Sequence, residues 1–284
     1  AFRKAGVDPF ERAIVLEDSS AGCAAGKAAG ACVLAVGSAR ADVYPHADAC
    51  FKSLAGIVKW LENGGWQDAR ILSQAGAVAV RLDGKRPSET RDRILCLESR
   101  RAGTFVGRFQ PYQRFIATMH KREAFPSAMA VSGITTVGRG ARRKILVGLR
   151  SRHVSMYPNQ WELVPAGGID ADALEPDGKV NLKKMILKEF SEETGLSGSW
   201  VRSVTGFGAV RDRSCNAYDF GMHVELKAGA DRARLCFPPK EYTQMRWMSS
   251  SQLARFARSG RKLVPTLDPL LRAFDLHERK EKTK

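Results

Sequence analysis

The stretch Lys188-Glu189-Phe190-Ser191-Glu192-Glu193-Thr194-Gly195-Leu196 decides how this chain is read. It sets carboxylates at i, i+3 and i+4, positions that share one face of a helix. Like charges on one face repel, so a bare helix gains nothing from them. A hard divalent cation reverses that sign, because Mg²⁺ or Mn²⁺ prefers carboxylate oxygen. The ends of the helix are marked by Asn181, a candidate N-cap, and Gly195, a candidate C′ residue. Ile186, Leu187 and Phe190 form an apolar stripe beside the glutamates. One face is expected to pack inward and another to carry oxygen ligands; a solvated acidic helix end is the plain alternative.

Upstream, Trp161-Glu162-Leu163-Val164-Pro165-Ala166-Gly167-Gly168 reads as a short apolar strand running into a Gly-Gly turn. Paired glycines let backbone approach a ligand closely. Segment 161–196 as a whole resembles the Nudix box of nucleoside-diphosphate-linked-X hydrolases. Gly168 matches the first glycine of the box, and Glu189, Phe190, Glu192, Glu193, Gly195 and Leu196 match its second half position by position. Two departures stand out. Lys188 replaces the family's arginine, keeping the charge but losing the planar fork. Gly168 to Lys188 spans 20 positions, longer than the family pattern, and leaves Glu175 or Asp172 as the first acid of the box.

The resemblance implies a Nudix-type α/β/α sandwich with a mixed sheet over residues 126–274. It implies Mg²⁺-dependent (or Mn²⁺-dependent) hydrolysis of a diphosphate linkage in a nucleoside-diphosphate-linked or similar organic diphosphate. Glu189, Glu192 and Glu193 become metal ligands, one of them a candidate base, with the Gly167 carbonyl as a further ligand and Glu241 as a later acid. Lys188 is expected to orient a glutamate or offset charge. Glu162 either touches substrate or points to solvent. Arg150 and Arg152 are candidates to grip a phosphate, or else plain surface arginines. Trp161 is assigned to the core, and His153 and His223 receive no role.

The expected fold class is α/β throughout, with a partial Rossmann-like unit ahead of the sandwich. In residues 1–62, a strand at 13–16 ends in Glu17-Asp18-Ser19-Ser20, a small-residue helix follows to Ala29 and Gly30, and Cys32–Val36 is the next strand. Strand–helix–strand implies parallel pairing. Gly6-Val7-Asp8-Pro9, Glu17-Asp18-Ser19, Gly22, Ala25-Gly26, Ala28-Ala29-Gly30, Ala47-Asp48 and Ser53-Leu54 resemble the C-terminal part of haloacid-dehalogenase-like, phosphoglucomutase-like phosphatases. By that resemblance Glu17 and Asp18 are an acidic pair that helps hold Mg²⁺. The family's nucleophilic Asp-x-Asp does not precede Asp18, and in 77–84 Arg81 stands at the nucleophile position, which excludes an aspartyl-phosphate step. The chain opens at Ala1, inside what reads as a helix, as a fragment does.

Residues 63–125 are expected to connect the two parts, with a break at Asn63-Gly64-Gly65 and a strand at 77–82. Phe105, Phe109, Tyr112 and Phe115 recur at helix-like spacing among arginines, predicting an amphipathic helix packed on the next domain in preference to a base-stacking surface. In 126–274, strands are expected at 128–137, 144–149, 161–164, 201–210, 217–226 and 245–248, and helices at 250–258 and 267–274. Residues 275–284 read as a basic tail, with Arg279–Lys284 expected to be disordered.

Length and composition agree with this division. The 284 residues are 44% hydrophobic and 27% charged, ordinary for a globular chain of two domains or one with extensions. No apolar run approaches the roughly 20 residues of a membrane span, and no signal peptide is read. Six cysteines without a Cys-x-x-Cys pair suit reduced thiols and a cytoplasmic location. The formal net charge is +16, and residues 100–160 hold twelve Lys or Arg against Glu123 alone. Such a run either gathers anionic ligands or serves solubility. The expected partner is a phosphorylated small molecule. Nucleic acid is the weaker option because no recognition motif accompanies the charge. Two other functions stay open: a nucleotide-binding or scaffold module with impaired catalysis, and an accessory domain of a haloacid-dehalogenase-like phosphatase.

Overall fold

The computed structural model describes residues 14–29, 31–40, 42–62, 69–73, 79–83, 92–101, 104–119, 127–212 and 214–282. The chain divides into two units, 1–67 and 68–284. In the first, Ile14–Glu17 (β1), Cys32–Val36 (β2) and Ala49–Phe51 (β3) pair in parallel in that order. Ser20–Ala28 (α1) links β1 to β2, and Leu54–Glu62 (α2) follows β3. The expected strand–helix–strand element with parallel pairing is therefore present. Ser19 caps α1 by accepting from the Gly22 amide, and Cys23 is the buried contact of its inner face.

The second unit is built on an eleven-stranded sheet. Its strands are Ala69–Ser73 (β4), Ala79–Leu82 (β5), Arg93–Arg101 (β6), Thr104–Pro111 (β7), Ser127–Val137 (β8), Lys144–Arg150 (β9), Trp161–Leu163 (β10), Ala166–Gly168 (β11), Val201–Asp212 (β12), Ala217–Leu226 (β13) and Tyr242–Ser249 (β14). Its helices are Tyr112–Met119 (α3), Leu182–Thr194 (α4), Ser250–Ala257 (α5) and Leu267–Lys282 (α6). The main path runs β4-β12-β13-β8-β6-β7-β5. β13 runs parallel to β8, whereas β12, β11, β9 and β6 pair antiparallel with their neighbours, so the sheet is mixed.

The period of two along β8 sorts its side chains into two layers. Met129, Val131 and Val137 face the layer of α4, where Met185, Ile186 and Phe190 meet Phe220 and Met222 of β13. Ile134 faces the other layer with Phe207 and Val210 of β12, Leu253 of α5, and Leu270 and Phe274 of α6. The arrangement is a helix–sheet–helix sandwich. Trp161 is 4% exposed and joins the second layer, as expected.

Two expectations need correction. Phe105 and Phe109 lie on a strand, not a helix: β7 pairs with β5 and β6, and only Tyr112 and Phe115 fall on α3. A spacing of four residues returns to the same face at either period, 2 or 3.6, so the aromatics alone did not distinguish the two. The edge-to-face contact of Phe105 with Phe220, 4.9 Å between centroids, holds the strand reading in place. The basic tail is also not unstructured as far as Lys282, because α6 continues to that residue. Arg143 grips Glu278 through two hydrogen bonds of 2.6 Å each and fixes this end of the helix to β9. The expected features at Ala1–Ala13, Gly30, Asn63–Gly65, 77–78 and 283–284 lie outside the described residues.

Phe190 is fully buried between the helix and β13. Phe190→Ala is expected to lower unfolding free energy by about 3–5 kcal/mol, read from the midpoint shift in urea at unchanged slope.

Candidate functional site

The local signals that bound α4 behave as the sequence predicts. Asn181 accepts from the Lys184 amide, and Gly195 ends the helix at φ +68° with its amide bonded to the Ser191 carbonyl. Between them α4 sends two glutamates onto the backbone of β11. Glu193, 4% exposed, accepts from the Ala166 amide at 3.2 Å. The Glu189 carboxyl occupies the space beside Gly167, where an added Cβ would lie 2.2 Å from Glu189 Cδ. Only glycine allows that approach. Glu192 remains exposed. Among the described residues, no three His, Cys, Asp or Glu side chains converge closely enough to enclose an ion as they stand.

Burial and then the neighbouring Glu192 push the Glu189 carboxyl up to about 8. Burial, then Glu162 and Glu189, hold Glu193 well above the usual carboxylate range. Glu241 is raised by burial and by Glu192, and faces the same cavity. That cavity has a volume of about 410 Å³. Gly167 and Gly168, Glu189, Glu193 and Glu241 line one end of it.

Glu162 does not point to solvent. It is 5% exposed, and its Oε1 accepts from Arg150 Nη1 at 2.5 Å and from the Tyr242 hydroxyl at 2.6 Å. Arg150 is accordingly no surface arginine: it also donates from Nε to the Met156 carbonyl at 2.9 Å and lines the cavity. Arg152, its companion in the sequence, is exposed and donates to His153 Nε2 at 3.1 Å. The structure thus separates the two arginines, and His153, given no role, is the neighbour that lines the cavity.

Of the two roles expected of Lys188, offsetting charge is the one its contacts fit: its ammonium binds Asp170 at 2.5 Å and Asp172 at 2.8 Å, across the long loop, and its charge lowers the neighbouring Glu189. Asp170 caps a short 3₁₀ turn, Ala171–Ala173, and received no role from the sequence although it stands two residues beyond the glycine pair. Of the two alternatives for the loop acid, Asp172 joins Lys188, and Glu175 accepts from the Asn181 side-chain amide. These aspartates and Lys188 border a second recess of about 370 Å³, which shares Gly168 and Tyr112 with the larger cavity.

Sequence reading also passed over Asp212 and Asp219. Both are buried and line the larger cavity. The available signal was an acid placed between apolar residues in the strand Ala217–Leu226. Part of the basic run of 100–160, by contrast, is tied down. Arg108, Arg139, Arg143, Lys144 and Arg150 each pair with a carboxylate. Among the described residues no helix is long and apolar enough to cross a membrane.

No protein-family model matches the chain, and no curated protein matches it in sequence. Among solved structures it is similar to a protein from Deinococcus radiodurans at 14% identity and TM-score 0.43, covering 64% of this chain and 99% of that one. It is similar to the Nudix domain of a Shewanella oneidensis protein complexed with ADP ribose, at 15% identity and TM-score 0.41, covering 62% and 100%. A mutT/nudix family protein from Listeria innocua is similar at 17% identity and TM-score 0.41, covering 56% and 99%.

The raised acids make stability pH-dependent in a stated direction. Unfolded, Glu189 releases its proton near the ordinary 4.5; folded, near 8. Between those values the folded state holds the extra proton, so stability falls as pH rises. With a chelator present, Glu189→Gln is expected to raise the melting temperature more at pH 8 than at pH 5, measured by scanning calorimetry.

Proposed function

We propose that the second unit hydrolyses a diphosphate linkage in a nucleoside-diphosphate-linked or similar organic diphosphate, with Mg²⁺ or Mn²⁺ as its ion. The observation that carries this reading is the meeting of Glu189 and Glu193 with the Ala166–Gly168 backbone at the end of a cavity that also holds Glu241. Carboxylates held above their ordinary range, Glu193 buried and Glu189 half-buried, lack countercharge, and an all-oxygen donor set suits a hard cation. Glu189, Glu192, Glu193, the Gly167 carbonyl and Glu241 are the residues that would hold it. Such an ion, when bound, offsets phosphate charge and makes water nucleophilic near neutral pH.

The remaining roles belong to the chain's own groups. Arg150, fixed by Glu162 and the Met156 carbonyl, offers a guanidinium to an anionic oxygen in the cavity. Tyr242 steadies Glu162 from the opposite side. Lys188 positions the loop that carries Asp170 and Asp172 beside Gly168. We assign the activity to residues 126–274 and regard 1–62 as a haloacid-dehalogenase-like unit without its nucleophile. The dispersed cysteines suit a cytoplasmic setting.

A second reading, a nucleotide-binding module without turnover, draws on Lys188 in place of the family's arginine and on the long loop between Gly168 and Lys188. Both readings are tested by Mg²⁺-dependent turnover across nucleoside diphosphate sugars, dinucleoside polyphosphates, oxidised nucleotides and coenzyme A. Glu192→Gln and Glu193→Gln are each expected to lower kcat at least about 100-fold. Unchanged turnover in both variants rejects the site. Binding without turnover on any compound selects the module.

A further inference from the structure

The larger cavity has an acidic floor to which the proposed hydrolysis gives no task. Space opens there because this stretch of one sheet face carries small side chains: Ala128, Ala130 and Ser132 on β8 and Ala217 on β13. Asp219 is the exception on that face. In register, Ala130 is flanked by Gly168 on one side and Asp219 on the other. Two strand spacings, about 10 Å, therefore separate the Gly167–Gly168 end from the Asp219 end, a span a ribosyl group bridges.

Asp219 is 9% exposed. Its Oδ1 accepts from the Ser132 hydroxyl at 2.7 Å, its only hydrogen bond among the described residues. Neighbouring Asp212 spends both oxygens on the Tyr157 hydroxyl and on Ser214. The closest cation in the cavity, Arg150, is turned to Glu162 and Met156. Burial, and then the charge of Asp212, push the Asp219 carboxyl up to about 7. A buried carboxyl this poorly supplied with donors is costly unless a ligand provides them. Phosphate cannot, because its oxygens are acceptors and Asp212 and Asp219 repel its charge. The diphosphate then belongs at the Gly167 end, and the organic group at the floor. Tyr112 and Tyr157 line the walls and offer aromatic surface to a flat ring.

We infer that Asp219 reads the nitrogen edge of a planar base with two adjacent N–H donors, as guanine has, on the diphosphate substrate. A carboxylate is acceptor-only and takes two parallel N–H bonds; the oxygen shared with Ser132 keeps a second lone pair for one of them. Hypoxanthine lacks the amino donor, and adenine turns a ring-nitrogen lone pair toward the carboxylate. A buried group left unpaired by such analogues makes the discrimination large. This assignment rests on the proposed hydrolysis only for where the diphosphate lies.

Calorimetric titration with the α,β-methylene diphosphates of guanosine, inosine and adenosine tests it without turnover. The guanosine compound is expected to bind at least about tenfold tighter than the other two, and Asp219→Asn to bring all three within about twofold. Circular dichroism checks that the variant is folded. Equal affinities in the unaltered protein overturn the inference, as does a preference that survives in a folded Asp219→Asn. Preference without turnover on any diphosphate removes hydrolysis and keeps the base assignment; turnover without preference does the reverse.

Discussion

The contact between two glutamates of α4 and the backbone of β11 is the constraint on which the second unit turns. Glu193 takes the Ala166 amide, and Glu189 lies where Gly167 has no side chain. Burial and then neighbouring carboxylates raise both acids well above their ordinary range, and neither contact offsets that. The helix cannot withdraw them, because Met185, Ile186 and Phe190 on its other face are locked into the core. Packing on one side of α4 thus enforces electrostatic tension on the other. That is the arrangement expected where charge is arranged for a ligand and not for stability.

The sheet supplies the second half of the site through what its side chains omit. Where Ile134, Phe207 and Phe274 fill the layer of α6, the same face of β8 a few residues earlier carries only alanine and serine. The cavity is the place where large residues stop. Arg150, Glu162 and Tyr242 close one wall as a bonded set drawn from β9, β10 and β14. Three strands from distant parts of the chain are joined there by one carboxylate.

Much of this was legible in the sequence wherever the signal was local. Asn181 and Gly195 mark α4 because capping and positive φ depend on single residues. The alternation of β13 and the pairing of β8 with β9 followed from short-range pattern. What escaped depended on partners far along the chain. Arg150 and Glu162 look like surface charges until β9 and β10 pair and Tyr242 arrives from 80 residues away. The end of α6 is ordered by Arg143, 135 positions earlier. Lys188 found two aspartates in a loop whose course no periodicity predicts. Asp219 was readable only as an acid in an apolar strand, with nothing to say which layer it entered.

Ala130 has a consequence out of proportion to its single methyl group. It lies between Gly168 and Asp219 in the ladder, with the glutamates beyond one neighbour and the buried aspartate at the other. Each carbon added there would shorten the chamber and leave every ionisable group in its place. Divergence at this one codon can therefore resize the guest while conserving the chemistry, a dimension along which related chains are free to drift.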